Sequence, residues 1–222
     1  MQGDSPNILY GPGQQDYRRL FYSDEAVALM VPITLSAGFG VLKAGTALAK
    51  NTSALTTGNT AKYVPYNPTA CTGAEDAPVR AYLVQGSTAS ADVYVGMTDS
   101  YKFKVGDDII VDNSTLSGEN LGAITAIDRT TYTHMAKITA TTAVSGTGYT
   151  TATFSYIIPE GADTCVGILS KSVDTGSGAN AVGANAGLLL KNYVVYTAGL
   201  INVDAAAIVD LSLTALGQFS YK

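Results

Sequence analysis

Short apolar segments separated by turn residues are the feature that most limits how this chain can fold. Four such segments, ALMVPITL, GVLKAG, TALAK and AKYVPYN, follow one another between residues 28 and 67. Residues that are β-branched or aromatic favour extended backbone, and glycine lets the backbone reverse with a positive φ angle. The pattern therefore predicts a fold of many strands joined by tight turns.

The amino-acid composition supports a β-rich fold and limits the partners. Hydrophobic residues make up 46% of the 222 residues. Charged residues make up 14%, against roughly a quarter in an average protein. The net charge is −5, and the 13 basic residues are scattered along the chain. Because a nucleic-acid interface needs clustered lysine and arginine, we expect no nucleic-acid binding.

Cysteine and histidine are too few for the common metal sites and catalytic triads. Cys71 and Cys165 form no CxxC spacing, which favours two free thiols and leaves a disulfide open. His134 is the one histidine, and its segment TTYTHMAKIT alternates like a strand, so it is predicted to be an ordinary surface residue. One histidine and two separated cysteines are too few for the usual zinc sites, and no residue pattern indicates a Ser/His/Asp triad. We expect no metal, no cofactor and no catalytic residue.

Carboxylates are the remaining candidates for catalysis, since 18 acidic residues are present. The best placed are Asp107, Asp108 and Asp128. Their sequences, VGDD and IDRT, are ordinary turn sequences, and no acidic residue belongs to a recognisable motif. We therefore do not expect an enzyme, although a pair of carboxylates could in principle hydrolyse a glycoside.

Two glycine-rich segments are candidates for phosphate-binding loops. A P-loop needs Gly-Lys-Ser/Thr at the start of a helix, but in GFGVLKAGTALAK the lysine precedes Gly45 and a strand follows. Residues 43–45 are therefore predicted to form a turn between two strands. The second segment, residues 176–187, has no lysine and opens no helix, so a mobile surface loop is predicted.

The N-terminal residues 1–24 are predicted to form an extended arm rather than a secretory signal, because no basic segment leads into an apolar one. Residues 26–42 carry no charge, but they are shorter than the ~20 apolar residues of a spanning helix and include Pro32. We therefore expect no membrane contact.

The arm of residues 1–24 could become ordered on a partner. Its candidate binding residues are Tyr10, Tyr17, Arg18, Arg19, Phe21 and Tyr22.

The strand pattern divides the rest of the chain into two units. Residues 84–158 alternate like a meander with a hairpin at residues 128–131, which predicts an inserted antiparallel β-barrel or sandwich. Residues 25–83 and 159–222 form the surrounding β domain. The predicted fold class is mainly β, a β-rich α+β fold with one C-terminal helix.

That helix is predicted over residues 204–216. Asn202 or Asp204 can cap its first turn, and a glycine follows its last residue. Its apolar positions, which include Ile208 and Val209, fall on one face at helical spacing. The sequence therefore predicts an amphipathic helix near the C-terminus.

Several segments of the surrounding domain share a pattern. GVLKAGTALAK holds a Lys-x-Gly-Thr turn, and ADTCVGILSKSVDT holds an Ala-x-x-x-Val-Gly-Ile-Leu strand followed by Val-Asp. NYVVYTAGLINVDA ends a strand in Gly-x-Ile, and the helix follows. Together these segments, within residues 38–70 and 160–222, resemble the head decoration (cement) proteins of tailed bacteriophages, the lambda D-like group. The inserted unit and the arm depart from that pattern.

The resemblance implies a protein that is made in the host cytoplasm and joins the outer surface of the virion. Such proteins form homotrimers where three subunits of the major capsid protein meet, and they stabilise the mature head against internal genome pressure. A ligand that binds only the mature shell stabilises it by mass action. Three equivalent sites multiply weak contacts, and an arm could add a strand to a capsid sheet.

A second interpretation is another virion surface protein, such as a head fibre or a glycan-binding module. The inserted unit carries Tyr94, Tyr101, Tyr132 and Tyr149, which could contact a glycan on the host surface. Tyrosine in strands is more often half-buried between its sheet neighbours. Capsid decoration is therefore the leading prediction.

Overall fold

A computed structural model describes residues 29–51, 62–67, 77–113, 118–145, 148–191, 193–195, 199–213 and 219–221. Within these residues the protein is mainly β, which confirms the predicted fold class. The predicted arm and its six candidate residues lie outside the described residues. None of the described helices is long and apolar enough to cross a membrane.

The secondary-structure elements have the following bounds. The first strands are β1 (Leu29–Leu35), β2 (Val41–Leu42), β3 (Ala47–Lys50), β4 (Tyr63–Pro65), β5 (Ala81–Gln85), β6 (Asp92–Gly96), β7 (Asp108–Asp112) and β8 (Glu119–Asp128). The later strands are β9 (Met135–Ala140), β10 (Tyr156–Pro159), β11 (Cys165–Leu169), β12 (Val173–Asp174), β13 (Ala184–Lys191), β14 (Tyr193–Val195) and β15 (Phe219–Tyr221). The helices are α1 (Met97–Ser100) and α2 (Ala205–Leu213).

The first barrel combines strands from both ends of the chain. Its order is β1–β13–β11–β3–β4, and β1 closes it by pairing in parallel with β4. Many apolar residues of these strands are almost completely buried. They include Leu35, Leu48, Ile168, Leu169 and Leu188. Two small sheets, β2 with β12 and β14 with β15, accompany this barrel.

The second barrel is inserted between β4 and β11. Its order is β10–β5–β6–β9–β8–β7, and its neighbours are antiparallel throughout. Alternate residues of β6 and β9 are buried, as expected for strands with one face toward a core. This core is separate from that of the first barrel. The inserted unit is a barrel rather than a sandwich, and the predicted boundary between residues 83 and 84 falls within β5.

Helix α2 packs on the first barrel through small and apolar residues. Ala207 and Leu211 are fully buried against it, whereas Ile208 and Val209 are 42% and 53% exposed. The sequence placed Ile208 and Val209 on the apolar face. That face does not contact the barrel. The helix instead contacts it through Ala207 and Leu211, which lie on another face.

Two aspartates fix the position of α2. Asp204 Oδ1 accepts hydrogen bonds from the Ala207 N–H at 2.8 Å and from the Tyr66 hydroxyl at 3.0 Å. The helix cap predicted at this residue is therefore confirmed, and it also ties the helix to the end of β4. Asp210 Oδ2 accepts a hydrogen bond from the Cys165 N–H at 2.9 Å, which joins the helix to β11.

Two segments differ from their predicted structure. His134 is exposed in the turn before β9, not within a strand, because the chain between β8 and β9 is longer than the predicted four-residue hairpin. Residues 176–187 are not one mobile surface loop. Gly178 is buried, and β13 begins at Ala184 and pairs with β1.

Candidate functional site

The KAGT turn, residues 43–46, brings together the segments that carry the sequence resemblance. The Gly45 N–H donates to the Leu169 carbonyl at 2.9 Å, and the Leu169 N–H donates to the Thr46 carbonyl at 2.9 Å. On the other side, the Ile201 N–H donates to the Gly45 carbonyl at 3.0 Å. Three segments that are distant in the sequence therefore form one hydrogen-bonded unit, which we call the junction turn.

The local sequence explains the shape of the junction turn. Gly45 has a φ of +91°, which a residue with a Cβ adopts only with strain. The Thr46 hydroxyl donates to the Lys43 carbonyl at 2.7 Å, and the Ala44 N–H donates to Ser172 Oγ at 3.0 Å. The predicted turn between two strands is confirmed, and its glycine shapes the backbone.

A cleft lies beside the junction turn, between the two barrels. Phe39 and Leu42 line it from the first barrel, and Val79 and Ile158 line it from the inserted barrel. Its volume is about 50 Å³. That is room for a few water molecules, whereas sites for drug-sized ligands have volumes of about 300 Å³ or more. The cleft is a gap in the packing between the two barrels and is too small for a sugar or a nucleotide.

The structure separates the three aspartates that the sequence singled out. Asp107 and Asp108 lie together at the start of β7, where burial raises the pKa of both carboxyl groups, that of Asp108 to about 6. Asp128 is the last residue of β8. Hydrogen bonds from the Thr131 side chain and from the backbone of Thr130 and Thr131 hold the pKa of Asp128 below its usual range. Asp128 organises its own turn, as its sequence predicted.

Glu160 is the acidic residue that the sequence did not single out. It follows β10, and its N–H donates to the Asp108 carbonyl at 2.8 Å. Burial and the negative charges of Asp108 and Asp163 raise the pKa of Glu160 to about 7. Two similar apolar segments, DIIVD and YIIP, could have indicated this residue. They pair as antiparallel strands, and their register brings Glu160 beside Asp108. Among the described residues, no three His, Cys, Asp or Glu side chains are placed to hold a metal ion.

The four tyrosines proposed for glycan contact do not form one surface. Tyr94 and Tyr132 pack edge to face, with ring centroids 5.7 Å apart. Tyr149 is buried. The Tyr101 ring lies 4.5 Å from the guanidinium carbon of Arg129. Of the four, Tyr94 and Tyr132 are the two whose rings contact each other.

Arg129 has a structural role that sequence analysis missed. Its Nε donates to Ser100 Oγ at 2.9 Å, and its Nη2 donates to the carbonyl oxygens of Ser100 at 2.8 Å and Phe103 at 3.3 Å. These contacts satisfy carbonyl groups at the end of α1, and Tyr101 covers the guanidinium. Arg129 therefore holds α1 against the inserted barrel.

One of the two cysteines lies in the described part of the chain. Cys165 is a buried free thiol in β11, and burial raises its pKa to about 12. Cys71 lies outside the described residues.

Comparisons with known proteins assign no family to this arrangement. No protein-family model matches the chain, and no curated protein or solved structure matches it significantly.

Proposed function

We propose that this protein is a structural capsid decoration protein that binds the outside of a mature phage head and stabilises it. The observation that supports this proposal is the junction turn. The KAGT, CVGIL and AGLI segments carry the sequence resemblance, and they are hydrogen-bonded to one another around Gly45.

The proposed mechanism is mass-action stabilisation of the shell. A protein that binds the expanded lattice and not the unexpanded one lowers the free energy of the mature state. Binding where three capsid subunits meet lets a homotrimer engage three sites at once, so modest contacts combine into strong attachment. The two barrels present a preformed surface, because closed sheets leave few unpaired strand edges.

Co-sedimentation with capsids tests the proposal. Wild-type protein is expected to sediment with expanded, undecorated heads and to remain in the supernatant with unexpanded shells. Deleting residues 1–24 is expected to weaken attachment about tenfold or more while the trimer stays folded, because the arm would contribute strand addition to the shell. No co-sedimentation at saturating protein concentration would overturn the proposal. If the deletion unfolds the protein, the arm belongs to its own domain instead.

The outward side of α2 is proposed as the trimer contact. Ile208 and Val209 are exposed side by side there, and an exposed apolar surface on a helix is typical of a protein contact. Val209→Glu is expected to convert the protein from three times the 22.9 kDa chain mass to a monomer, because it would bury an unpaired charge. Light scattering coupled to size-exclusion chromatography measures this change.

Val105→Glu is the matched control for the trimer prediction. Val105 is 60% exposed on the inserted barrel, against 53% for Val209, so the same substitution adds the same charge at a similar exposure. The control is expected to stay trimeric. A wild-type protein that is monomeric, or two variants that dissociate equally, would contradict the proposed contact.

A glycan-binding role is the second candidate, favoured by the Tyr94–Tyr132 ring pair. Aromatic rings can pack against the apolar face of a sugar. Binding of the full chain to a glycan array, lost in Tyr132→Ala but kept in Tyr101→Ala, would favour this function over capsid attachment.

A further inference from the structure

Three large apolar side chains are exposed at one end of the β5–β10 strand pair of the inserted barrel. Tyr82 and Val84 are 45% and 48% exposed, and they flank the buried Leu83 on β5. Phe154 is 75% exposed. The Leu83 N–H donates to the Ser155 carbonyl at 2.8 Å, so Phe154 lies at the same end of the antiparallel pair as Val84. We call Tyr82, Val84 and Phe154 the Phe154 patch.

The turn before β10 holds Phe154 in a fixed position. Phe154 has a φ of +50°, which a bulky side chain adopts only with strain. The Phe154 N–H donates to the Thr151 carbonyl at 3.2 Å, and the Thr150 N–H donates to Thr153 Oγ1 at 3.1 Å. The Ser155 N–H also donates to the Thr150 carbonyl at 3.2 Å. Strain of this kind persists only where the surrounding structure fixes the backbone, and it is concentrated at functional positions. Because the turn is already ordered, a partner that binds Phe154 has little ordering entropy to overcome.

The Phe154 patch and helix α2 are complementary in charge. The guanidinium carbon of Arg80 lies 4.8 Å from the Tyr82 ring centroid, which places a positive charge beside the patch. Helix α2 has Asp210 next to the exposed Val209, and it has no basic residue. A contact of the patch with α2 therefore brings opposite charges together. A contact of either surface with its own copy would bring like charges together, which is unfavourable.

A homotrimer whose contacts run head to tail needs two different surfaces on each copy, one for each neighbour. Helix α2 packs on the first barrel, and the Phe154 patch lies on the inserted barrel. We propose that the Phe154 patch of one copy receives the outward side of α2 from the next copy, with Ile208 and Val209 packed against Phe154. This inference rests on the proposed trimer, and it names the surface that α2 contacts there.

Phe154→Glu is the first test. Aromatic residues at the centre of an interface contribute much of its binding energy, and a carboxylate there would be buried without a partner. The variant is expected to have the 22.9 kDa mass of one chain at a concentration at which the wild type is trimeric. Light scattering after size-exclusion chromatography measures the mass, and circular dichroism shows whether the variant is folded. Val105→Glu, on the same barrel, is the matched control and is expected to stay trimeric.

A mixture of two monomeric variants tests which surfaces meet. Phe154→Glu keeps an intact α2, and Val209→Glu keeps an intact Phe154 patch. An equal mixture can therefore form one intact contact but cannot close a ring of three copies. It is expected to give a dimer of twice the 22.9 kDa chain mass, while each variant alone stays monomeric. The mixture is measured at about 100 times the concentration at which the wild-type trimer forms, because a single contact lacks the gain from ring closure.

Photo-cross-linking locates the contact directly. Benzoylphenylalanine in place of Phe154 is expected to cross-link to residues 205–213 of another copy. Trypsin releases those residues in one peptide, because no lysine or arginine lies between Lys191 and Lys222. Mixing isotope-labelled and unlabelled chains distinguishes a cross-link between copies from one within a copy. The same group in place of Tyr101, which is 62% exposed on the same barrel, is the control and is expected not to reach α2.

Three results would overturn the assignment. They are a folded Phe154→Glu protein that stays trimeric, a mixture that stays monomeric, and a cross-link from position 154 that lies outside residues 205–213 of another copy. The cross-link replaces one aromatic side chain by another, so it decides the question even if Phe154→Glu does not fold. If Val209→Glu still dissociates the trimer, the α2 contact stands and only its assigned counterpart is wrong. A monomeric wild type would overturn both, whereas co-sedimentation with heads tests the capsid function separately.

Discussion

Gly178→Ala is expected to lower the free energy of unfolding by about 3 kcal/mol or more. Gly178 has a φ of +53°, and a Cβ there would lie 2.1 Å from the carbonyl oxygen of Tyr101. The atom it would strike belongs to the backbone, which cannot move aside by changing rotamer. Relief would require the first barrel and helix α1 to separate. Chemical denaturation followed by circular dichroism measures the loss.

Gly106→Ala separates the two causes of that loss. Gly106 also has a positive φ, +93°, but nothing lies within 4 Å of the position where a Cβ would be. This variant is expected to lose only about 1 to 2 kcal/mol from the strained backbone. Equal losses in the two variants would mean that the close contact at Gly178 contributes nothing, and that the barrels are not packed against each other there.

Features encoded by neighbouring residues could be predicted from the sequence. The turn at Gly45 needed only its glycine between two apolar segments, and that residue has a positive φ. The cap of α2 needed only an aspartate before a run of helix formers, and Asp204 accepts the Ala207 N–H. Such features depend on local backbone preferences, which a short window of sequence contains.

Features that depend on distant residues could not be predicted. Glu160 and Asp108 are 52 positions apart, and they meet only because β10 pairs with β7 in one particular register. Burial of Gly178 likewise requires helix α1, whose four residues have no periodic pattern that predicts a helix. Pairing register and close contacts between units are set by tertiary packing, which composition and spacing do not determine.

The buried side of α2 could not be predicted from the sequence either. Periodicity placed Ile208 and Val209 on an apolar face, but spacing alone does not say which side of a helix a barrel will cover. The contacts of Asp204 with Tyr66 and of Asp210 with Cys165 fix the rotation of the helix. Polar anchors therefore decided the orientation, and the apolar residues left outside are those proposed for the trimer contact.

Ile157→Ala is expected to lower the free energy of unfolding of the inserted barrel by about 3 to 4 kcal/mol. Ile157 is fully buried in β10, inside a core that shares no residue with the core of the first barrel. Removing three carbon atoms there loses their burial and leaves a cavity. Residue-resolved hydrogen exchange measures the loss in each barrel separately, and Val105→Ala, at an exposed position, is expected to change stability by less than about 0.5 kcal/mol.

The same variant distinguishes independent barrels from a single cooperative unit. If the barrels unfold independently, Ile157→Ala should reduce protection in β6 and β9 while leaving β3 and β11 unchanged. The inserted barrel would then act on the first barrel only as a linker between β4 and β11, whose closure entropy grows slowly with length. If protection falls equally in both barrels, the close contact between Gly178 and Tyr101 couples them.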